Sequence, residues 1–461
     1  MKSLIALFLC MSSYAVAQES APASVIKSTD VTVETKNDEA TKPQQNVTPE
    51  EASKNLPEAT MATKVEDAKP KREYPYFSLV SYGYFIFNQG ETFKTNTPTD
   101  PNYNKPYVKR SIDLAAIAFE GSYIMSNSSL IEFEVELEHG GTGTAMEFDP
   151  FEEFGEFETE VEKGGEVVLP EFVYIKNFKS TDTLLKVGKF PLFISLGTTL
   201  EKPRRYPTVL ASGVEAYMIP PEWNETGVQV EQKFWDFTGR VGLVSGLNSE
   251  FFRSYSWIGG GYQRQFETIN ADDLATVASI EYGSIKKGTG LALAYYTGNT
   301  TDNRWKKDKL TVDSNIELWS LLLNYKLGRF GFQGEAMTGT LENSEAIVKA
   351  NATLGGLAKP KSFVALGSKA VLQSLLVSYD FSDEFVAYVQ AEHVDTFADT
   401  EGTVQKLPRY DIAKKSLGFM WAFDKGAFMK AQYTRQKTQL DDLPETYQAS
   451  LALGFDIAKF N

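Results

Sequence analysis

The chain is poor in the residues that chemistry most often uses. Its single cysteine, Cys10, lies in an N-terminal apolar segment, and there are only two histidines, His139 and His393. Disulfides and thiol chemistry are thereby excluded beyond that segment. No G-x-S-x-G surrounds any serine, and His139 and His393 give a nucleophile little to pair with, so no enzyme is expected. Carboxylates are the metal ligands that remain; they follow no metal-binding spacing, and neither a metal nor a cofactor is expected. Basic charge is also short. Against 61 Asp and Glu stand 46 Lys and Arg, a net of −15, which argues against nucleic acid as a partner because phosphates need a basic footprint. After the first segment no uninterrupted apolar run reaches the length of about 18 residues that a spanning helix requires. Strands that cross a membrane remain possible, since each is short and alternating.

What is present begins with Lys2, the apolar run Leu4–Met11 and Ala15-Val16-Ala17. Together they read as a secretory signal over residues 1–17, cleaved after Ala17. Residues 18–72 contain no Phe, Tyr or Trp and are punctuated by Pro22, Pro43, Pro49, Pro57 and Pro70. Such a stretch buries no core and is expected to be a disordered periplasmic tether. Residues 73–461 are strand-like throughout.

Alternation and turn punctuation mark sixteen strands there, the first over Tyr76–Phe87, the third over Leu130–Glu138 and the last over Thr446–Ile457. Tight turns fall at Ser126–Ser129, Lys179–Asp182, Trp235–Phe237, Ile285–Gly288, Leu327–Arg329, Phe381–Glu384 and Lys425–Gly426. Each is followed by a longer connection, and both ends of the strand region fall on the short side. This sorting predicts an all-β protein, a transmembrane antiparallel β-barrel of about 16 strands in an outer membrane. The 31 Phe, 22 Tyr and 6 Trp suit aromatic girdles at its two interfaces. Sixteen strands are expected to enclose an aqueous channel rather than a packed core.

The third strand assigns the faces. Ile131, Phe133, Val135 and Leu137 alternate with Glu132, Glu134, Glu136 and Glu138, so the apolar set belongs to lipid and the glutamates to the lumen. Glutamates on one strand face sit about 6.6 Å apart, and each neighbouring pair repels by about 0.6 kcal/mol in water. That face calls for water and mobile cations. The same alternation places Glu231, Glu281 and Glu335 in the lumen, with Asp113, Asp380 and Asp456, against Lys233, Arg240 and Lys430. The first, fourth and fifth strands are apolar or mixed on both faces. Between strands, His139–Pro170 is dense in glutamate without the spacing of a calcium loop. Pro191–Glu225 is the longest connection and holds Lys202, Arg204 and Arg205 among Pro203, Pro207, Pro220 and Pro221. Its proline content predicts a stiff segment folded into the bore.

The run Leu184-Leu185-Lys186-Val187-Gly188-Lys189-Phe190-Pro191-Leu192-Phe193 and, after the long loop, Pro220-Pro221-Glu222-Trp223-Asn224-Glu225-Thr226-Gly227-Val228-Gln229-Val230 resemble a strand-loop-strand of the phosphate-selective O and P type porins. The resemblance implies a sixteen-stranded homotrimeric channel for small hydrophilic solutes. Two departures stand out. Members that select phosphate line the bore with arginines, whereas the third strand here carries glutamates and only Lys202, Arg204 and Arg205 sit where a basic constriction can arise. Barrels of this kind finish on an aromatic residue, whereas this sequence closes with Phe460-Asn461. The expected function is passive diffusion of small hydrophilic solutes and ions across the outer membrane, through an acidic, cation-preferring lumen. Two alternatives stay open: a substrate-specific channel for an anion or organic acid, and a structural or adhesive barrel plugged by its tether.

Overall fold

A computed structural model describes residues 73–93, 100–139, 167–263, 269–304, 310–354 and 363–460. The signal expected over 1–17, the tether expected over 18–72 and most of the acidic connection, residues 140–166, lie outside the described residues.

Where side chains alternate between two environments the chain is extended, and it does so sixteen times. The first half comprises β1 (Tyr76–Phe93), β2 (Pro106–Ser126), β3 (Ser129–Glu138), β4 (Val167–Phe178), β5 (Thr183–Pro191), β6 (Asn224–Phe234), β7 (Phe237–Ser245) and β8 (Leu274–Tyr282). The second comprises β9 (Thr289–Asn299), β10 (Asn315–Leu327), β11 (Phe330–Leu341), β12 (Lys369–Asp380), β13 (Phe385–Asp399), β14 (Asp411–Asp424), β15 (Ala427–Thr438) and β16 (Thr446–Phe460). Each pairs antiparallel with its neighbours in sequence, and β16 pairs with β1, so the sheet is a closed barrel. Closure leaves no edge strand to satisfy. Connections after even-numbered strands are short and those after odd-numbered strands long, which gathers all the short ones at one end. Asp182, Trp235 and Gly328 turn the chain there at positive φ.

The outward face is apolar all round the ring: Phe172, Val187, Val230, Val241, Ile280, Leu291, Leu321, Leu375, Val389 and Leu417 are all exposed. A continuous belt of this kind belongs in hydrocarbon rather than water. At the short-turn end it closes in an aromatic girdle. Phe234 stacks on Phe237 at 5.8 Å, Phe237 meets Tyr282 at 5.2 Å, Phe330 meets Tyr379 at 5.0 Å, Tyr379 meets Phe381 at 4.9 Å and Phe385 meets Phe419 at 5.4 Å. Gly121 of β2 stands opposite Phe133 of β3, whose ring lies where a Cβ at Gly121 would be. No described helix is long and apolar enough to cross a membrane; the crossing is made by strands.

The interior corrects one expectation. It is not an empty bore, because long connections fold inward and bring an apolar core with them. Leu192, Ile194, Met218, Ile219, Phe252, Trp257, Ile258, Ile347 and Leu366 from connections pack against Val173, Ile175, Val244, Val277 and Tyr296 from the inner wall. Trp257 is fully buried and its Nε1 donates to the Gly367 carbonyl at 2.9 Å. Two short helices belong to these connections, α1 (Leu196–Thr199) and α2 (Ser344–Asn351). The core explains the strands that looked apolar on both faces. Val173 and Ile175 of β4 lie under it, and Tyr84 and Ile86 of β1 pack with Val209 and Phe428.

Candidate functional site

The connection from Leu192 to Trp223 crosses the barrel. Its base is pinched shut where the Leu192 N–H donates to the Trp223 carbonyl at 2.9 Å. Just inside, Ser195 caps α1 by accepting from the Thr198 N–H at 3.1 Å, and Leu196 and Leu200 rest on Ile285, Ala292 and Leu322 of the near wall. The far anchors stand on the opposite side of the ring: β13 is seven places from β6 one way and eight from β5 the other. There the Val214 N–H donates to Glu392 of β13 at 3.1 Å and the Val209 N–H to Gln432 of β15 at 3.0 Å. Tyr84 of β1 donates its hydroxyl to the Val209 carbonyl at 2.6 Å. Gly213, at φ +50°, lets the chain turn against Glu392, whose carboxylate occupies the space a Cβ would need. The stiff segment predicted from its prolines thus lies inside the barrel, as a chord across it.

Its three basic residues take different places. Lys202 pairs with Glu120 of β2. Arg204 pairs with Asp456 of β16 at 2.9 Å and lays its guanidinium over Phe428 at 4.7 Å. Arg205 keeps a buried Nη1 with no hydrogen-bond partner among the described residues. Lys430, counted above as a lumenal charge, is fully buried and packs its ammonium over Tyr206 at 3.6 Å.

The glutamates separate into three groups. Those of β3 form one wall: Glu132 is half-buried, and Glu134, Glu136 and Glu138 are buried. This differs from the openly hydrated face expected, because the connection packs against it. Register makes the wall denser than one strand suggests. Glu120 stands opposite Glu134 and Glu134 opposite Glu171, a row of three acids across β2, β3 and β4. Glu120 escaped the sequence reading because a bulge at Ala115 reverses the alternation counted from Asp113, and Glu171 because the fourth strand is mixed on both faces. Tyr82 donates to Glu136 at 3.2 Å, and carboxylate oxygens of Glu136, Glu138 and the loop's Glu222 lie within 4.8 Å of one another. Carboxylates this close ionise together only with a cation among them; otherwise they share protons.

The second group, Glu231 and Glu281, is not free fixed charge. Arg240 lies between them, at 3.0 Å from Glu231 and 2.6 Å from Glu281, with its guanidinium 4.2 Å from the Phe193 ring at the loop's start. Glu281 also accepts from the Ile285 N–H at 2.7 Å. Third, Glu335 of β11 is buried and meets Glu215 of the loop, which accepts from the Gly197 N–H at 2.8 Å. Burial pushes the Glu215 carboxyl up, which favours a proton shared between the two. Of the remaining charges in the census, Asp380 pairs with Lys326 and Asp113 with His139 at 3.0 Å. The net acid surplus of the interior thus concentrates on β2, β3 and β4 and on the loop that covers them.

No protein-family model matches the chain, and no curated protein sequence matches it. Solved structures similar to it include an anion-selective porin from Comamonas acidovorans, at 9% identity and a TM-score of 0.48, over 83% of this chain and 100% of that one. The outer membrane channel DcaP of Acinetobacter baumannii is similar at 9% identity and a TM-score of 0.49, over 83% and 97%. OmpF of Salmonella typhi, in complex with daunomycin, is similar at 11% identity and a TM-score of 0.49, over 82% and 97%. At such identities and scores the likeness carries nothing about what passes through this barrel.

Proposed function

We propose that the chain is an outer-membrane channel through which small hydrophilic solutes and ions diffuse passively, with a preference for cations. One observation carries the reading. A closed sixteen-stranded barrel with a lipid-facing belt is crossed inside by a pinned loop, and acids dominate the wall that the loop faces. An acidic constriction concentrates cations and opposes anions, and nothing need move except the solute. Export with cleavage after Ala17 and assembly as a homotrimer in outer-membrane lipid belong to the same proposal. The test is a planar-bilayer recording of the purified, folded barrel in a salt gradient. Ohmic channels with a reversal potential of cationic sign are expected; anion preference, or no conductance, would overturn the reading.

A pH dependence follows. Enclosure pushes the Glu201 carboxyl up to about 7; Lys286 opposes the shift, and Glu171 and Glu222 add to it. Glu201 is thus protonated below that value and adds a negative charge above it. Raising the pH from about 5.5 to 8.5 should increase the cation-to-anion permeability ratio by roughly twofold. Glu201→Gln should flatten this step, and an unaltered step in that variant would remove Glu201 from the account.

A substrate-specific channel for an anion or organic acid, in the manner of the phosphate-selective O and P type porins, is the second reading. It is favoured by the unpartnered Nη1 of Arg205. Block of chloride current by added phosphate would support it over the first.

A further inference from the structure

Lys415 of β14 faces outward. Its neighbour Lys414 points into the barrel, with its ammonium 4.6 Å from the Tyr217 ring of the crossing loop, and Ser416 is buried and bonds Thr434 at 2.9 Å. Leu417, two residues on, is 57% exposed on the lipid side. In register Lys415 stands directly opposite Arg435 of β15, and Lys437 lies two residues further along the same outward face, opposite Ala413. Like charges directly opposite on one sheet face destabilise it, unless something between them carries the opposite sign. The chain supplies carboxylates on this face, but each is already engaged or paired with another acid. Glu445 pairs with Arg435, and Asp411 is engaged by His393 Nε2 at 2.8 Å, with Asp395 beside it in register. Lys415 and Lys437 have no ion pair or side-chain hydrogen bond among the described residues.

The level of this group in the membrane is set by its surroundings. From Leu417 through Trp421 to Phe423 the outward face of β14 is apolar as far as the short-turn girdle. Tyr433 and Tyr447 stack at 6.1 Å immediately beside Arg435, as aromatics do where hydrocarbon gives way to headgroups. The three cations sit just beyond that boundary, toward the long connections. Their aliphatic stems can lie along the apolar belt with the charges raised to headgroup depth.

We propose that Lys415, Arg435 and Lys437 bind the phosphate groups of an anionic lipid in the leaflet on the long-loop side, the phosphorylated glycolipid of an outer membrane. Phosphate supplies what the register lacks. Its several oxygens bridge the ammoniums of Lys415 and Lys437, with Arg435, held by Glu445, adding its remaining charge beside them. The proposal rests on the membrane reading above for its orientation, and on nothing in the lumen.

The experiment uses the folded full-length barrel in detergent, mixed with bisphosphorylated lipid A and analysed by native mass spectrometry. The unmodified protein should retain lipid A against phosphatidylethanolamine and against millimolar inorganic phosphate. Lys415→Gln with Lys437→Gln should lower retained lipid A at least tenfold, and arginine at both positions should restore it. Heat-modifiable migration on a gel verifies that each variant is folded. Equal retention by the glutamine variant, equal retention of phosphatidylethanolamine, or displacement by inorganic phosphate would overturn the proposal. So would a glutamine variant that loses subunits rather than lipid, since the face would then belong to another copy of the chain. Conductance of the glutamine variant should match that of the unmodified protein, so failure here is distinct from failure of the channel reading.

Discussion

Glutamine at Glu132, Glu134, Glu136 and Glu138 together should lower the cation-to-anion permeability ratio by about fivefold, bringing it near unity. The change removes charge and keeps shape, and three of the four side chains are packed under the crossing loop, so shape matters. Stability should not suffer. Each neighbouring pair along β3 repels by about 0.6 kcal/mol in water and about four times more at the effective dielectric of a protein surface. The row Glu120, Glu134 and Glu171 adds repulsion across the strands. The variant should therefore resist heat at least as well as the parent in a gel-shift series. A reversal potential that does not move would show that the selectivity filter lies elsewhere, and an unfolded variant would show that these carboxylates act as structural ligands rather than as a field.

The other large effect is on stability. Arg240→Met strands two carboxylates: Glu231 and Glu281 are both buried and both rely on the one guanidinium. Removing one partner of a buried ionic group costs about 3–5 kcal/mol, because the remaining charge has lost its water and its counterion. The midpoint of guanidinium unfolding in detergent or lipid should fall accordingly. Combining Arg240→Met with Glu231→Gln and Glu281→Gln should recover most of the loss, since the group is then neutral throughout. A single variant that loses less than about 1 kcal/mol, or a triple variant no better than the single, would show that the guanidinium does not hold this wall together. The Phe193 ring loses its cationic partner as well, so single-channel current through Arg240→Met should be noisier.

What the sequence shows about this molecule follows from where a single period governs it. A strand with a polar inner face and lipid outside declares itself by alternation, as β14 does with Leu417, Phe419, Trp421 and Phe423. The period fades in β1, β4, β10 and β12, where Tyr84, Ile86, Val173, Ile175, Leu318, Leu322 and Leu372 are apolar yet point inward, because connections distant in sequence come to lie on them. Face is legible in alternation and partnership is not. Glu231, Glu281 and Arg240 can all be placed in the lumen from sequence, but that they neutralise one another depends on the register of β6, β7 and β8. Lys202 and Glu120 are far apart in sequence, and Lys430 and the Tyr206 ring that covers it are farther still. The prolines of the crossing loop foretell its stiffness, and only its anchors on β1, β13 and β15 show where it goes.

Those anchors have a mechanical consequence. A ring of sixteen hydrogen-bonded strands resists stretching around its girth but flattens easily, since flattening changes no strand pairing. The crossing loop is fixed to the near wall at its pinched base and to the far wall at Glu392 and Gln432, with Tyr84 of β1 holding it from the side, which makes it a tie across the barrel. Lateral pressure in the bilayer then cannot make the barrel oval without straining the tie.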